Sequence, residues 1–155
     1  MLKSTHDQLH RATPANGAEL VPAQERREIH MPVSLGELTD RLAILQLQAR
    51  RIRGAGLVPV QRELAMLQAV FEPLAAWVPE RLHRQLVTVI AELWHLEDGV
   101  RSCERRDAFG ADFVAMARSI HRLNDRRAAL KRAISMAGGS VLVEPQGQGV
   151  PNHHR

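Results

Sequence analysis

The sequence predicts an all-α fold, an antiparallel bundle of about four helices whose two C-terminal members are the long ones. Three observations predict it. Apolar residues recur at heptad spacing through four successive segments, the period of helices that bury one stripe against their neighbours. Hydrophobic residues make up 45% of the 155, yet aromatics only 3% with no tyrosine, so the core must be aliphatic. The segments are separated by short Gly- and Pro-marked connections, which favour antiparallel neighbours.

Residues 1–30 carry four basic and four acidic residues and no sustained apolar period, so a disordered extension is expected there. The ordered pattern starts just after Met31, which also makes Met31 a candidate start. Helix one opens with Ser34-Leu35-Gly36-Glu37, a Ser-x-x-Glu capping box. Leu35, Leu38, Leu42, Leu45, Ala49 and Ile52 follow at 3-4-3-4-3 spacing, and Gly54 and Gly56 end it.

Pro59 suits the first turn of helix two, where no N–H is needed. Val60, Leu64, Leu67, Phe71, Leu74 and Val78 carry the seam, with a break expected near Glu72 because Pro73 cannot continue a helix. Pro79 begins helix three, whose seam is Leu82, Leu86, Val89, Leu93, Leu96, Val100 and Cys103. Asp107 to Gly110 form the turn into helix four, which ends at Gly138-Gly139. Val141–Val143 reads as a short extended segment and residues 145–155 as a flexible tail, leaving residues 31–144 as the helical domain. Helices one and two are shorter than three and four, so the long hairpin is expected to project.

Net charge is +4, which permits anionic partners without demanding them. Of 21 basic residues only Lys3 and Lys131 are lysines; arginine-rich composition suits carboxylate and phosphate, and equally reflects base composition. Cys103 stands alone, so no intrachain disulfide can form. No apolar run reaches the roughly 18 residues of a membrane span and no secretory core precedes residue 31, so the expected location is cytoplasmic, with no membrane partner.

Three stretches carry a resemblance. They are Val33-Ser34-Leu35-Gly36-Glu37-Leu38-Thr39-Asp40-Arg41-Leu42-Ala43-Ile44-Leu45, Leu93-Trp94-His95-Leu96-Glu97-Asp98 with Arg101 and Glu104, and Asn124-Asp125-Arg126-Arg127-Ala128-Ala129-Leu130-Lys131-Arg132. Together they resemble a family of small helical bacterial and phage proteins of unknown function, over residues 31–144. The resemblance implies the fold and its boundaries, and no catalytic residue. Members continue past Leu142-Val143-Glu144 with an acidic, basic and aromatic tail, where this chain has Pro145-Gln146-Gly147.

Helix four holds the chain's sharpest anomaly. Phe113, Met116, Ile120, Leu123, Leu130, Ile134 and Ala137 form one seam, and Arg127 stands where a hydrophobe belongs. A charge on a packing seam is costly unless paired or hydrated. In an up-down bundle the end of helix four returns beside the start of helix one, which puts Arg127 and Lys131 near Glu37 and Asp40. With Asn124 and Asp125 these form the candidate binding cluster. One reading is an interhelical ion-pair lock that fixes register. The other is a pocket where arginine forks onto the phosphate or carboxylate of a small anionic metabolite, with mutase-like conversion as a fold-level analogy.

A secondary polar face comprises Trp94, Glu97, Asp98 and Arg101 on helix three, expected level with Arg118, His121 and Arg122 of helix four. Trp94 offers a cation–π seat for an arginine. Glu80-x-x-His83 and Glu92-x-x-His95 share the ligand spacing of di-iron bundles, but both lie on one helix, about 18 Å apart, so neither a metal nor another cofactor is expected. His121 and Asp125 are one turn apart with no nucleophile beside them, and no catalytic residue is assigned. Arg118, Arg122 and Arg126 form a basic stripe, the feature that would serve nucleic acid; interleaved acids and scarce aromatics argue against that partner. The expected function is that of a non-enzymatic module for protein–protein interaction or homo-oligomerisation, with anion binding and then nucleic-acid binding as alternatives.

Overall fold

In the computed structural model, which describes residues 29–144, four helices alternate in direction, with no strand among the described residues. The extension expected over residues 1–30 lies mostly outside the described residues, and so does the 145–155 tail. All four helices belong to the unit Pro32–Arg155.

Helix α1 (Leu35–Arg51) begins where Ser34 accepts a hydrogen bond from the Glu37 N–H at 2.9 Å. Only half of the expected capping box forms, because the Glu37 carboxylate turns to Lys131 instead of returning to Ser34. Helix α2 (Leu57–Phe71) starts two residues before Pro59 and stops at the break expected from Pro73. A 3-10 segment, Glu72–Trp77, then leads through Pro79 into α3 (Glu80–Arg105). α4 (Ala111–Ala137) runs back along α3.

Both long helices close with the same cap. At the end of α4, Gly139 takes φ +63°, the Ser140 N–H reaches the Ser135 carbonyl at 2.9 Å, and the Gly139 N–H reaches Met136 at 3.2 Å. At the end of α3, Asp107 takes φ 53°, with Ala108 bonding to Cys103 at 3.0 Å and Asp107 to Glu104 at 3.1 Å. These paired bonds satisfy carbonyls that a helix otherwise leaves open. Glycine adopts this left-handed backbone freely, whereas Asp107 does so at a steric cost.

The seams pack largely as the spacing predicts. Leu86, Val89, Ile90 and Leu93 of α3 and Leu130 and Ile134 of α4 form a core with Leu35 and Ala43 of α1. α1 is the central element. Besides its hairpin-facing side it buries Leu38, Leu42 and Leu45, next to Arg41, which pairs with Glu63 of α2. α2 packs along α1 and makes no comparable contact with α3 or α4, so the bundle is a three-helix body with α2 flanking it. The approach of α1 to α4 is tight: a Cβ on Gly36 would collide with the Lys131 backbone carbonyl and lie 2.7 Å from Ser135 Oγ.

Two expectations fail locally. Val141 and Leu142 bend instead of running extended, and Val141 stands fully in solvent. Ala137, the last seam position of α4, is exposed because the helix ends there.

Candidate functional site

The polar cluster forms where antiparallel α1 and α4 cross. Asp40 is 2% exposed on α1, facing the seam position that Arg127 occupies on α4. Arg127 donates from Nε to Oδ1 and from Nη2 to Oδ2 of Asp40, each at 2.6 Å, a two-pronged ion pair. The Asp40 carboxylate raises the Arg127 pKa above its ordinary value against the opposing effect of burial, with Glu37 and Glu97 adding smaller attraction. One turn further on, Lys131 pairs with Glu37. Asn124 and Asp125 stand exposed on the outer side of α4 and do not join the cluster.

A second set of groups, not anticipated as a site, surrounds the first turn of α1. The N–H groups of Leu35, Gly36 and Glu37 donate to the hydroxyls of Ser140 (3.2 Å), Ser135 (2.9 Å) and Ser34 (2.9 Å). The Ser135 hydroxyl donates in turn to one oxygen of Glu144 at 2.8 Å, and the Ser34 hydroxyl to the other. Arg132 donates to the Glu144 carbonyl at 2.7 Å. A carboxylate thus sits at the positive end of α1, relayed through two serines, which stabilises it electrostatically. Partial burial works to raise the Glu144 pKa, but the bonds from Ser34 and Ser135 and the charge of Lys131 prevail and hold it below the ordinary value. Ser34 and Ser135 stand 101 residues apart, and nothing local in the sequence marks this closure.

The secondary face assembles differently from expectation. Trp94, Glu97, Asp98 and Arg101 meet the C-terminal end of α1, not α4. Arg51 stacks over Trp94 at 5.0 Å from the ring centre and reaches Asp98 at 3.3 Å. Arg101 bonds to Asp98 at 2.7 Å, and this bond, with the charges of Arg101 and Arg51, holds the Asp98 pKa below its ordinary value. The Glu97–Arg101 pair is longer, at 3.9 Å. Arg118 and His121 stay exposed on α4, outside this face. Arg122 bonds to Ser119 on its own helix at 2.8 Å. The reason is the path of α1, which lies over α3 at this level and takes the seat that α4 was expected to fill.

Arg122 instead lines an open groove of about 920 Å³ between α1, α3 and α4. Leu47, Val87, Leu96 and Leu123 form its floor, while Arg50, Arg122, Arg126 and His95 stand around it with a single acid, Glu92. Among the described residues no cluster of three or more His, Cys, Asp or Glu side chains is arranged to hold a metal ion. No helix among them is long and apolar enough to cross a membrane.

The third feature is α2. Its inner seam (Val60, Leu64, Leu67, Phe71) is half-buried, but none of its residues is fully buried. Its outer side is mixed: Met66 is 46% and Val70 56% exposed beside exposed Gln61, Arg62 and Gln68, and Trp77 at the end of the following 3-10 segment is 58% exposed. Comparison of the chain with protein-family models, with functionally characterised proteins and with solved structures finds no match.

Proposed function

We propose that this protein is a non-enzymatic association module that pairs with a second copy of itself through the outer side of α2. The observation that carries this is a helix covered on one side only, with large apolar side chains left exposed away from that side. Large apolar side chains left exposed together on one element mark a contact surface. Met66 and Val70 are exposed on α2 itself, and Trp77 is exposed at the end of the segment that follows it. The charges at the α1–α4 crossing support an architectural role for the cluster, since Arg127 and Lys131 each already hold a carboxylate. Light scattering during size exclusion tests the reading with wild type and Val70→Asp. A dimer that becomes a folded monomer on substitution supports it; a wild type that is monomeric overturns it.

A second reading has its own observation, the arginine-rimmed apolar groove. Three arginines and a histidine against one glutamate suit an acidic amphipathic helix of another protein laid along Leu47, Val87 and Leu123. A labelled peptide of alternating leucine and glutamate helical faces provides the probe. It should bind wild type and lose affinity on Arg122→Ser/Arg126→Ser; indifference to that change would remove the reading. Arg122 and Arg126 line this groove beside its apolar residues, which favours an amphipathic protein ligand over a nucleic-acid backbone.

A further inference from the structure

Along the outer side of α2, Arg62, Ala65 and Ala69, with Glu72 at the helical-backbone cap that follows Phe71, recur at 3-4-3 spacing, and all four are exposed. This is a second heptad seam on the same helix, turned away from α1. It is symmetric about Leu67. Reversing the direction of the helix exchanges Arg62 with Glu72 and Ala65 with Ala69. Its polar ends disguise it among the apolar seams, because arginine and glutamate occupy positions where hydrophobes are usual.

The charges point the same way. Between Val58 and Trp77 the only charged residues are Arg62, Glu63 and Glu72. Glu63 is held by Arg41 of α1 at 2.6 Å. Arg62 and Glu72 belong to none of the ion pairs among the described residues. Two small residues at the centre let helix backbones approach closely, with Met66 and Val70 adding apolar surface on one flank and Gln61 and Gln68 on the other.

We infer that two copies pair through α2 as an antiparallel, two-fold symmetric helix pair centred on Leu67. Arg62 of each chain faces Glu72 of the other, and Ala65 packs against Ala69 across the axis. A two-fold interface must be self-complementary, and this strip is so in both shape and charge. The inference rests on the self-association proposed above and specifies its geometry. A parallel pair would set Arg62 against Arg62 and Glu72 against Glu72, so the charges select the antiparallel arrangement.

Sedimentation equilibrium of the full chain, as wild type, Arg62→Glu, Glu72→Arg and the double exchange Arg62→Glu/Glu72→Arg, tests it. Both substituted sites are exposed, and circular dichroism checks that each variant stays helical. Each single reversal should weaken the dimer about tenfold or more, because it creates two like-charge confrontations. The double exchange should restore affinity to within a few-fold of wild type. A dimer equally tight in both single variants, or a double exchange as weak as the singles, overturns the geometry while leaving self-association standing. A wild type that is monomeric up to about 50 µM overturns both.

Discussion

Asp40 of α1 and Arg127 of α4, 87 residues apart, close two parallel hydrogen bonds of 2.6 Å across the one interrupted seam of the bundle. The carboxylate is almost completely enclosed, with a side chain 3% exposed, while the arginine retains 28% and reaches water along its edge. This asymmetry decides what substitution does. Arg127→Leu fills the seam but strands a buried charge, so it should cost about 3 kcal/mol. Asp40→Leu/Arg127→Leu removes both charges and should return to within about 1 kcal/mol of wild type. Urea unfolding of the two variants checks this, and a harmless Arg127→Leu would mean that Asp40 is hydrated.

Glu144 makes stability depend on acid. Its folded pKa lies below the unfolded one, whose ordinary value is 4.5. Its contribution is therefore full above the unfolded pKa and is lost as pH falls through the depressed folded value. Wild type should lose more stability than Glu144→Gln between about pH 6 and about pH 3. Equal losses in the two proteins would show that Glu144 is not held by Ser34 and Ser135. Asp98 shifts in the same direction, so the difference between the two proteins is what isolates Glu144.

Gly36 sets how closely α1 and α4 approach. Gly36→Ala places a methyl against the Lys131 carbonyl and Ser135 Oγ, which forces the helices apart. A cost of at least about 3 kcal/mol is expected, with the Ser135 and Glu144 bonds lost as well. Gly110→Ala has open space and serves as the control, with a change of less than about 1 kcal/mol.

Asp107 is the only described residue other than glycine with positive φ. Asp107→Gly relieves that strain, offset by the greater freedom of glycine in the unfolded chain. A net gain of about 0.5 kcal/mol is expected in thermal unfolding. A loss would mean that the Asp107 side chain contributes to the turn.

The bundle was legible because its signals are local. Ser34, Pro79 and Gly138-Gly139 mark helix ends by their own backbone chemistry, and the heptads mark the buried sides. The Arg127–Asp40 meeting was legible from a gap in one seam combined with alternating helix direction. Other features depend on the angle at which helices pass, which spacing does not encode. Trp94 finds Arg51 because α1 lies over α3 at that level, and Arg122 is thereby left to line the groove. Glu144 follows two glycines and a bend, so its return to Ser34 has no local signature. The outer seam of α2 is masked in the sequence because the inner seam already accounts for the helix, and because its ends are charged.

Self-association through α2 is the central claim, and its most direct measurement is the mass of the wild-type chain by sedimentation equilibrium over a dilution series. The account predicts a mass near twice the 17.3 kDa of one chain at about 50 µM, falling toward one chain on dilution. A mass of one chain at every concentration would contradict it.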